Sequence, residues 1–202
     1  MKALIIGSGT FSRKSLLFAG ENTFVICADG GFDSALKNGI TPDIVLGDMD
    51  SVVSEVPKES IVFPVEKDET DSEIAIDYAL KKGFSELILA GFTGTRLDHT
   101  LNNILILKRI YDAGASGVIV DDNNEIYYLR DTLKIKGEKG GILSIIPVFG
   151  DLLGVTTKNL KYPLFDETLF FGEGRGVSNV FLDTECVISV KSGEGIVISA
   201  KD

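Results

Sequence analysis

Six short apolar runs divide the first 120 residues: Ala3–Ile6, Phe24–Cys27, Ile44–Leu46, Ile61–Phe63, Leu87–Ala90 and Val118–Val120. Glycine and aspartate bound most of them. Runs this short and this uniformly apolar suit strands buried on both faces, the habit of parallel sheets. Helical segments lie between several of them. A βαβ series of this kind has few folds open to it: a mostly parallel sheet with helices on its faces. The expectation is a three-layer α/β domain.

Thr70-Asp71-Ser72-Glu73 has the form of a capping box, with Thr70 as N-cap and Glu73 at the third helical position. Ala75, Ile76, Ala79 and Leu80 follow at helical spacing. Asp71 then sits in a first turn, where the helix dipole favours negative charge. Asp98 is expected to cap the helix that carries Leu101, Ile104 and Leu105.

The pattern changes after Asp121–Glu125. From there β-rich runs recur at 126–129, 141–148, 154–157, 177–181, 186–190 and 196–199. Gly140-Gly141, Gly150-Asp151 and Ser192-Gly193 read as turns between them. This spacing predicts a small all-β sandwich or barrel. The expected division is 1–123 for the α/β domain and 124–202 for the β domain.

Composition narrows the function classes. The chain has 202 residues and a formal net charge of −10, which argues against non-specific nucleic-acid binding. Cys27 and Cys186 are its two cysteines, far apart and without a histidine cluster, so neither a zinc site nor a disulfide framework is expected. Cys27 reads as a buried small apolar residue. No stretch reaches the length of a membrane span, and the N-terminus lacks the pattern of a signal peptide. A cytoplasmic location and no membrane partner are the expectation.

The chemistry is concentrated in Gly47-Asp48-Met49-Asp50-Ser51. Residues i and i+2 of an extended segment point the same way, about 6–7 Å apart. Asp48 and Asp50 can therefore converge on one cation, and Mg²⁺ accepts one or two carboxylates together with substrate phosphates. Asp29-Gly30-Gly31, 67–71 and 91–99 end other strands or lead into helices. The carboxyl ends of parallel strands share one sheet edge, so these turns are expected to meet in one crevice. Clustered aspartates repel one another without a counter-ion, which again points to Mg²⁺. Gly7-Ser8-Gly9 and Gly30-Gly31 are expected to let backbone N–H groups approach phosphate, and Arg96 to offer a forked donor. His99 is the one histidine; with no Gly-x-Ser-x-Gly elbow present, it reads as a supporting residue rather than a general base.

Taken together, these segments resemble the thiamine pyrophosphokinase (thiamine diphosphokinase) family over nearly the whole chain. Ala28-Asp29-Gly30-Gly31 with Gly39–Asp43 is similar to the family's first motif, and Gly47–Ser51 to its acidic loop. Lys67–Glu73 is similar to the third motif, and Gly91–Asn102 to the fourth, with Thr95 in place of a frequent glycine. The C-terminal part is similar more loosely: Asn159-Leu160-Lys161-Tyr162 stands where the family often has Gly-Leu-Lys-Trp, and Gly176-Val177-Ser178-Asn179 where it often has Ser-x-Ser-Asn.

The resemblance implies transfer of a pyrophosphoryl group from ATP to the hydroxyethyl oxygen of thiamine, releasing AMP. It implies Mg²⁺ on Asp48, Asp50 and Asp71. Nucleotide contacts would come from Asp29, Gly30, Gly31, Thr70, Arg96 and His99, and thiamine contacts from Tyr162, Ser178 and Asn179. It also implies a homodimer with thiamine held between subunits. Asp71 and Asp98 both remain candidates for taking the hydroxyl proton. Three other readings stay open: a related enzyme with another alcohol acceptor such as a pterin, a Mg²⁺-dependent phosphohydrolase, and a non-catalytic nucleotide binder.

Overall fold

The computed structural model describes residues 1–64, 66 and 68–201. Lys67, at the head of the third motif, lies outside the described residues. The chain divides into two units, Met1–Asp122 and Asn123–Asp202.

The first unit follows the order β1 (Lys2–Ile6), α1 (Ser15–Ala19), β2 (Phe24–Ala28), α2 (Gly31–Lys37), β3 (Ile44–Gly47), β4 (Ile61–Val62), α3 (Asp71–Lys81), β5 (Glu86–Ala90), α4 (Leu97–Leu105), α5 (Leu107–Asp112) and β6 (Ser116–Val120). Its strands stand in the order β4-β3-β2-β1-β5-β6, and every neighbouring pair is parallel. The α/β class expected from the apolar runs is the one found.

Strand alternation explains the layering. Leu4 and Ile6 of β1 pack on one face with Ala19 of α1 and Phe32 and Ala35 of α2, and Cys27 is buried in the same cluster. Ala3 and Ile5 point to the other face and are equally buried. There α3 packs on β1, β2 and β3, and α5 on β6. α3 forms as its sequence predicts: Thr70 and Glu73 make the reciprocal capping bonds, and Ala75, Ile76 and Ala79 are buried.

Two local expectations fail. β4 is a two-residue strand at the sheet edge, with Ile61 and Val62 exposed, because no further strand pairs outside it among the described residues. Asp98 does not cap α4; Arg96 holds the N-cap position, and Asp98 lies in the first turn with its carboxylate turned to Arg96.

The second unit is all β: β7 (Asn124–Leu129), β8 (Thr132–Lys136), β9 (Ile142–Lys158), β10 (Glu167–Leu169), β11 (Asn179–Val180), β12 (Glu185–Ser189) and β13 (Ser192–Ala200). Gly150-Asp151 is not a turn between strands. β9 runs through it for 17 residues. Phe149 and Gly150 have φ values of 61° and 140°, and the β13 register slips at this point. The distortion bends one long strand so that it serves two sheets. Its first part pairs with β11 and β13, and its second part with β10 and β12. Between the sheets lies a core that includes Leu143, Ile145, Leu152, Val155, Phe181 and Ile188.

No helix among the described residues is long and apolar enough to cross a membrane.

Candidate active site

The strand order sets where a ligand can bind. From β1 the chain builds outward to β4, then returns to the other side of β1 with β5. The turns after β1 and β5 therefore leave the sheet in opposite directions, the place where open α/β sheets hold ligands. A crevice of about 620 Å³ opens at this carboxyl edge. Gly9 and Ser8 line it from the turn after β1, and Gly91–Arg96 from the turn after β5.

These two turns run on together past the strand ends. Gly7 N–H donates to Ala90 O at 2.8 Å, Gly9 N–H to Gly91 O at 2.8 Å and Thr10 N–H to Thr93 O at 2.9 Å. Only glycine fits at position 9, where a Cβ would stand 2.6 Å from the Gly91 carbonyl oxygen. Asn103 steadies the second turn by donating to Phe92 O at 2.9 Å, and the Thr93 hydroxyl donates to Asp121 at 2.9 Å.

The acidic residues enter from β2, β3 and α3. Asp29 follows β2, and its N–H continues the ladder to Leu46 O of β3 at 2.8 Å. Asp48 follows Gly47 at the end of β3. Parallel neighbours thus deliver their first turn residues side by side. Carboxylate oxygens of Asp29, Asp48 and Asp50 all lie within 4.8 Å of one another. The loop is strained to do this: Asp29 and Met49 have φ values of 48° and 65°. Left-handed backbone costs an L-residue about 1–2 kcal/mol. Met49 is held there by packing against the core.

Asp29 is 4% exposed, and its Oδ1 has no hydrogen-bond partner among the described residues. Burial raises its pKa, bonds from Gly30 and Ser51 oppose the rise, and the charge of Asp71 adds to it. A buried, partnerless carboxylate oxygen beside two further carboxylates is a donor set for a hard cation. Glu69, Thr70, Asp71 and Ser72 complete the acidic wall at the N-terminus of α3.

Not every expected residue arrives. Arg96 and His99 line the crevice, whereas Asp98 does not. Asp98 instead takes two bonds from the Arg96 guanidinium, at 2.6 and 3.2 Å. Those bonds, with a further one from the His99 backbone, hold its pKa down to about 2. Gly30 and Gly31 are also absent from the lining. Gly31 packs the start of α2 against β1, where a Cβ would overlap the Ile6 carbonyl.

In the second unit Tyr162 is exposed, and the Lys161 ammonium stands 5.5 Å from its ring centroid. Ser178 is exposed with φ 59°. Asn179 is buried at 7% exposure, and its amide is already engaged. Its Oδ1 accepts from Tyr162 N–H at 3.0 Å and Val180 N–H at 2.9 Å, and its Nδ2 donates to Tyr162 O at 2.8 Å. The amide expected to meet a pyrimidine holds the Tyr162 backbone in this structure.

The crevice and its acidic rim define the class first: an α/β enzyme that handles phosphate groups. Residues 17–119 match the family described as "Thiamin pyrophosphokinase, catalytic domain", and residues 131–197 match "Thiamin pyrophosphokinase, vitamin B1 binding domain". The chain belongs to the thiamine pyrophosphokinase family. It is 29% identical to the thiamine pyrophosphokinase of Bacillus subtilis over 194 residues, spanning 92% of this chain and 91% of that one. The crystal structure of the Bacillus subtilis protein superposes with a TM-score of 0.91 at 27% identity, covering all of both chains. That of the Geobacillus thermodenitrificans protein gives 0.86 at 28%, covering 100% of this chain and 98% of that one. These relatives favour neither a pterin acceptor nor a phosphohydrolase.

Proposed function

We propose that the crevice at the β1–β5 edge is where this thiamine pyrophosphokinase binds ATP and transfers its terminal pyrophosphoryl group to thiamine. The observation that carries this reading is the convergence of Asp29, Asp48 and Asp50 beside a glycine-lined floor. Those three carboxylates would hold Mg²⁺, with Asp71 next to them. Bound there, Mg²⁺ would neutralise charge on the polyphosphate, which phosphoryl transfer needs more than covalent help. Asp29 thereby joins the metal set that the sequence assigns to Asp48, Asp50 and Asp71.

The thiamine hydroxyl oxygen attacks the β-phosphorus of ATP, the bond from that phosphorus to the α–β bridging oxygen breaks, and AMP leaves. Asp71 takes the hydroxyl proton. Asp98 is a poor base with its pKa about 2, so its part is to orient Arg96. Arg96 grips the phosphates, and Thr70 and His99 border the nucleotide. Tyr162 offers an aromatic face to the cationic thiazolium, and Ser178 a hydroxyl to the pyrimidine. The active species is a homodimer with thiamine at the subunit interface; exposed Phe165, Phe170, Phe171 and Leu97 supply apolar surface for a partner. Its setting is the cytoplasm.

Incubation with ATP, Mg²⁺ and thiamine tests the reading. Equal amounts of AMP and thiamine diphosphate are expected, and EDTA abolishes both. ATP left intact, or hydrolysed without thiamine diphosphate, overturns it.

A further inference from the structure

Asp33 is a buried carboxylate, 9% exposed, that none of the steps above uses. It sits on α2 and faces the loop that follows β3. Its Oδ2 accepts from Val53 N–H at 2.8 Å, and its Oδ1 accepts from Ser54 N–H at 3.0 Å and from the Ser54 hydroxyl. These bonds hold the carboxyl below the usual aspartate range, so it remains an acceptor at working pH.

The loop they hold carries Asp48, Asp50 and Ser51 and has no regular structure. Met49 and Val52 pack on the core, but Val53 is 93% exposed, so side-chain packing does not explain where its backbone lies. Asp29 stands just before α2 and Asp33 lies in its first turn. One short segment thus carries a member of the carboxylate trio and, four residues on, the latch for the loop bearing the other two. We propose that Asp33 is a positioning residue, latching the 48–54 loop to α2 and so setting the spacing of Asp29, Asp48 and Asp50 for the cation. This rests on the reading of those three as the cation site.

The test uses the full chain without substrates. Amide exchange at Val53 and Ser54 and Mn²⁺ affinity by electron paramagnetic resonance are measured for the wild type, Asp33→Asn, Asp33→Ala, Ser54→Ala and Asp48→Asn. The amide introduced by Asp33→Asn would turn one acceptor into a donor facing an N–H. Both Asp33 variants are expected to exchange faster at residues 53 and 54 but not in β3. Their Mn²⁺ affinity is expected to fall roughly 10- to 100-fold, the scale seen when a metal ligand loses its support. In turnover the Mg²⁺ requirement rises while kcat at saturating Mg²⁺ stays near the wild-type value. Ser54→Ala is intermediate, and it carries the test with Asp33→Asn if the alanine variant does not fold. Wild-type Mn²⁺ affinity in Asp33→Asn overturns the latch, whatever the amides do, provided that Asp48→Asn has lost binding. Full Mn²⁺ affinity in Asp48→Asn overturns the cation site itself, and the latch with it.

Discussion

Arg96 holds Asp98 through two bonds, 2.6 Å from Nη2 to Oδ2 and 3.2 Å from Nε to Oδ1. The pair separates two aspartates that the motif spacing leaves equivalent. A carboxylate with pKa about 2 stays ionised wherever the enzyme can be assayed. Whatever stability its charge lends is present above the ordinary aspartate pKa and fades only as the pH falls toward 2. Asp98 cannot then produce an acid limb in the rate profile. Asp98→Asn is expected to raise KM for ATP by less than about tenfold, as an exposed ion pair allows, and to leave kcat near the wild-type value. Asp71→Asn is expected to lower kcat by about a hundredfold or more. Steady-state kinetics of the two variants decide, and a loss of kcat on the order of a hundredfold in Asp98→Asn with kcat kept in Asp71→Asn reverses the roles.

Gly9→Ala probes the crevice floor. The added methyl meets the backbone oxygens of Gly91 and Thr93, neither of which is the far end of a flexible chain. Overpacking of this kind costs about 1–3 kcal/mol. In a chain of this size each kcal/mol lowers Tm by about 2–4 °C. KM for ATP is expected to rise with it. Gly174→Ala, with nothing within 4 Å of the new atom, serves as the control and should melt as the wild type does. Equal Tm and KM in the two variants would show that the floor tolerates a side chain.

Asn179 clasps the Tyr162 backbone from both sides. Asn179→Ala strands two N–H groups and one carbonyl, and a buried polar group left unpaired costs about 1–3 kcal/mol. A Tm drop is expected together with a higher KM for thiamine and an unchanged KM for ATP. Tyr162→Ala should raise the same KM without the drop in Tm. A variant Asn179→Ala that keeps the wild-type Tm but loses thiamine affinity would return Asn179 to direct contact with the substrate.

How far the sequence reaches depends on whether a signal is local. The runs of β1, β2, β3, β5 and β6 are legible because burial on both faces leaves no polar alternation, and the α3 cap is legible because its partners are three residues apart. The pairing of Asp48 with Asp50 is legible for the same reason. Asp29 in the trio is not, since it depends on β2 and β3 being neighbours with Ala28 beside Leu46. Nor is Asp33, whose partners lie 20 and 21 residues away. β9 is misread for the opposite reason: Gly150-Asp151 is a strong local turn signal, and pairing with other strands on both sides of it overrides the signal.

Asp29 supplies the most direct check on the cation site, because stability and function should move in opposite directions. Burial raises its pKa, so the folded state binds a proton that the unfolded chain has already lost. Stability without metal therefore falls as pH rises from the ordinary aspartate pKa through the raised one, and stays low at neutral pH. Asp29→Asn removes the buried charge and keeps the shape. Its metal-free form at neutral pH is expected to melt above the wild type, by about 2–4 °C for each kcal/mol recovered, and the difference should vanish in acid. Mg²⁺ with a nucleotide should then raise Tm in the wild type, by an amount that grows with concentration over Kd. The variant should gain much less, and its turnover should collapse. Thermal melts across pH, with and without Mg²⁺, read both effects on one instrument. A variant that melts below the wild type without metal, yet gains as much from Mg²⁺, would mean that Asp29 is a structural carboxylate and the cation rests on Asp48 and Asp50 without it.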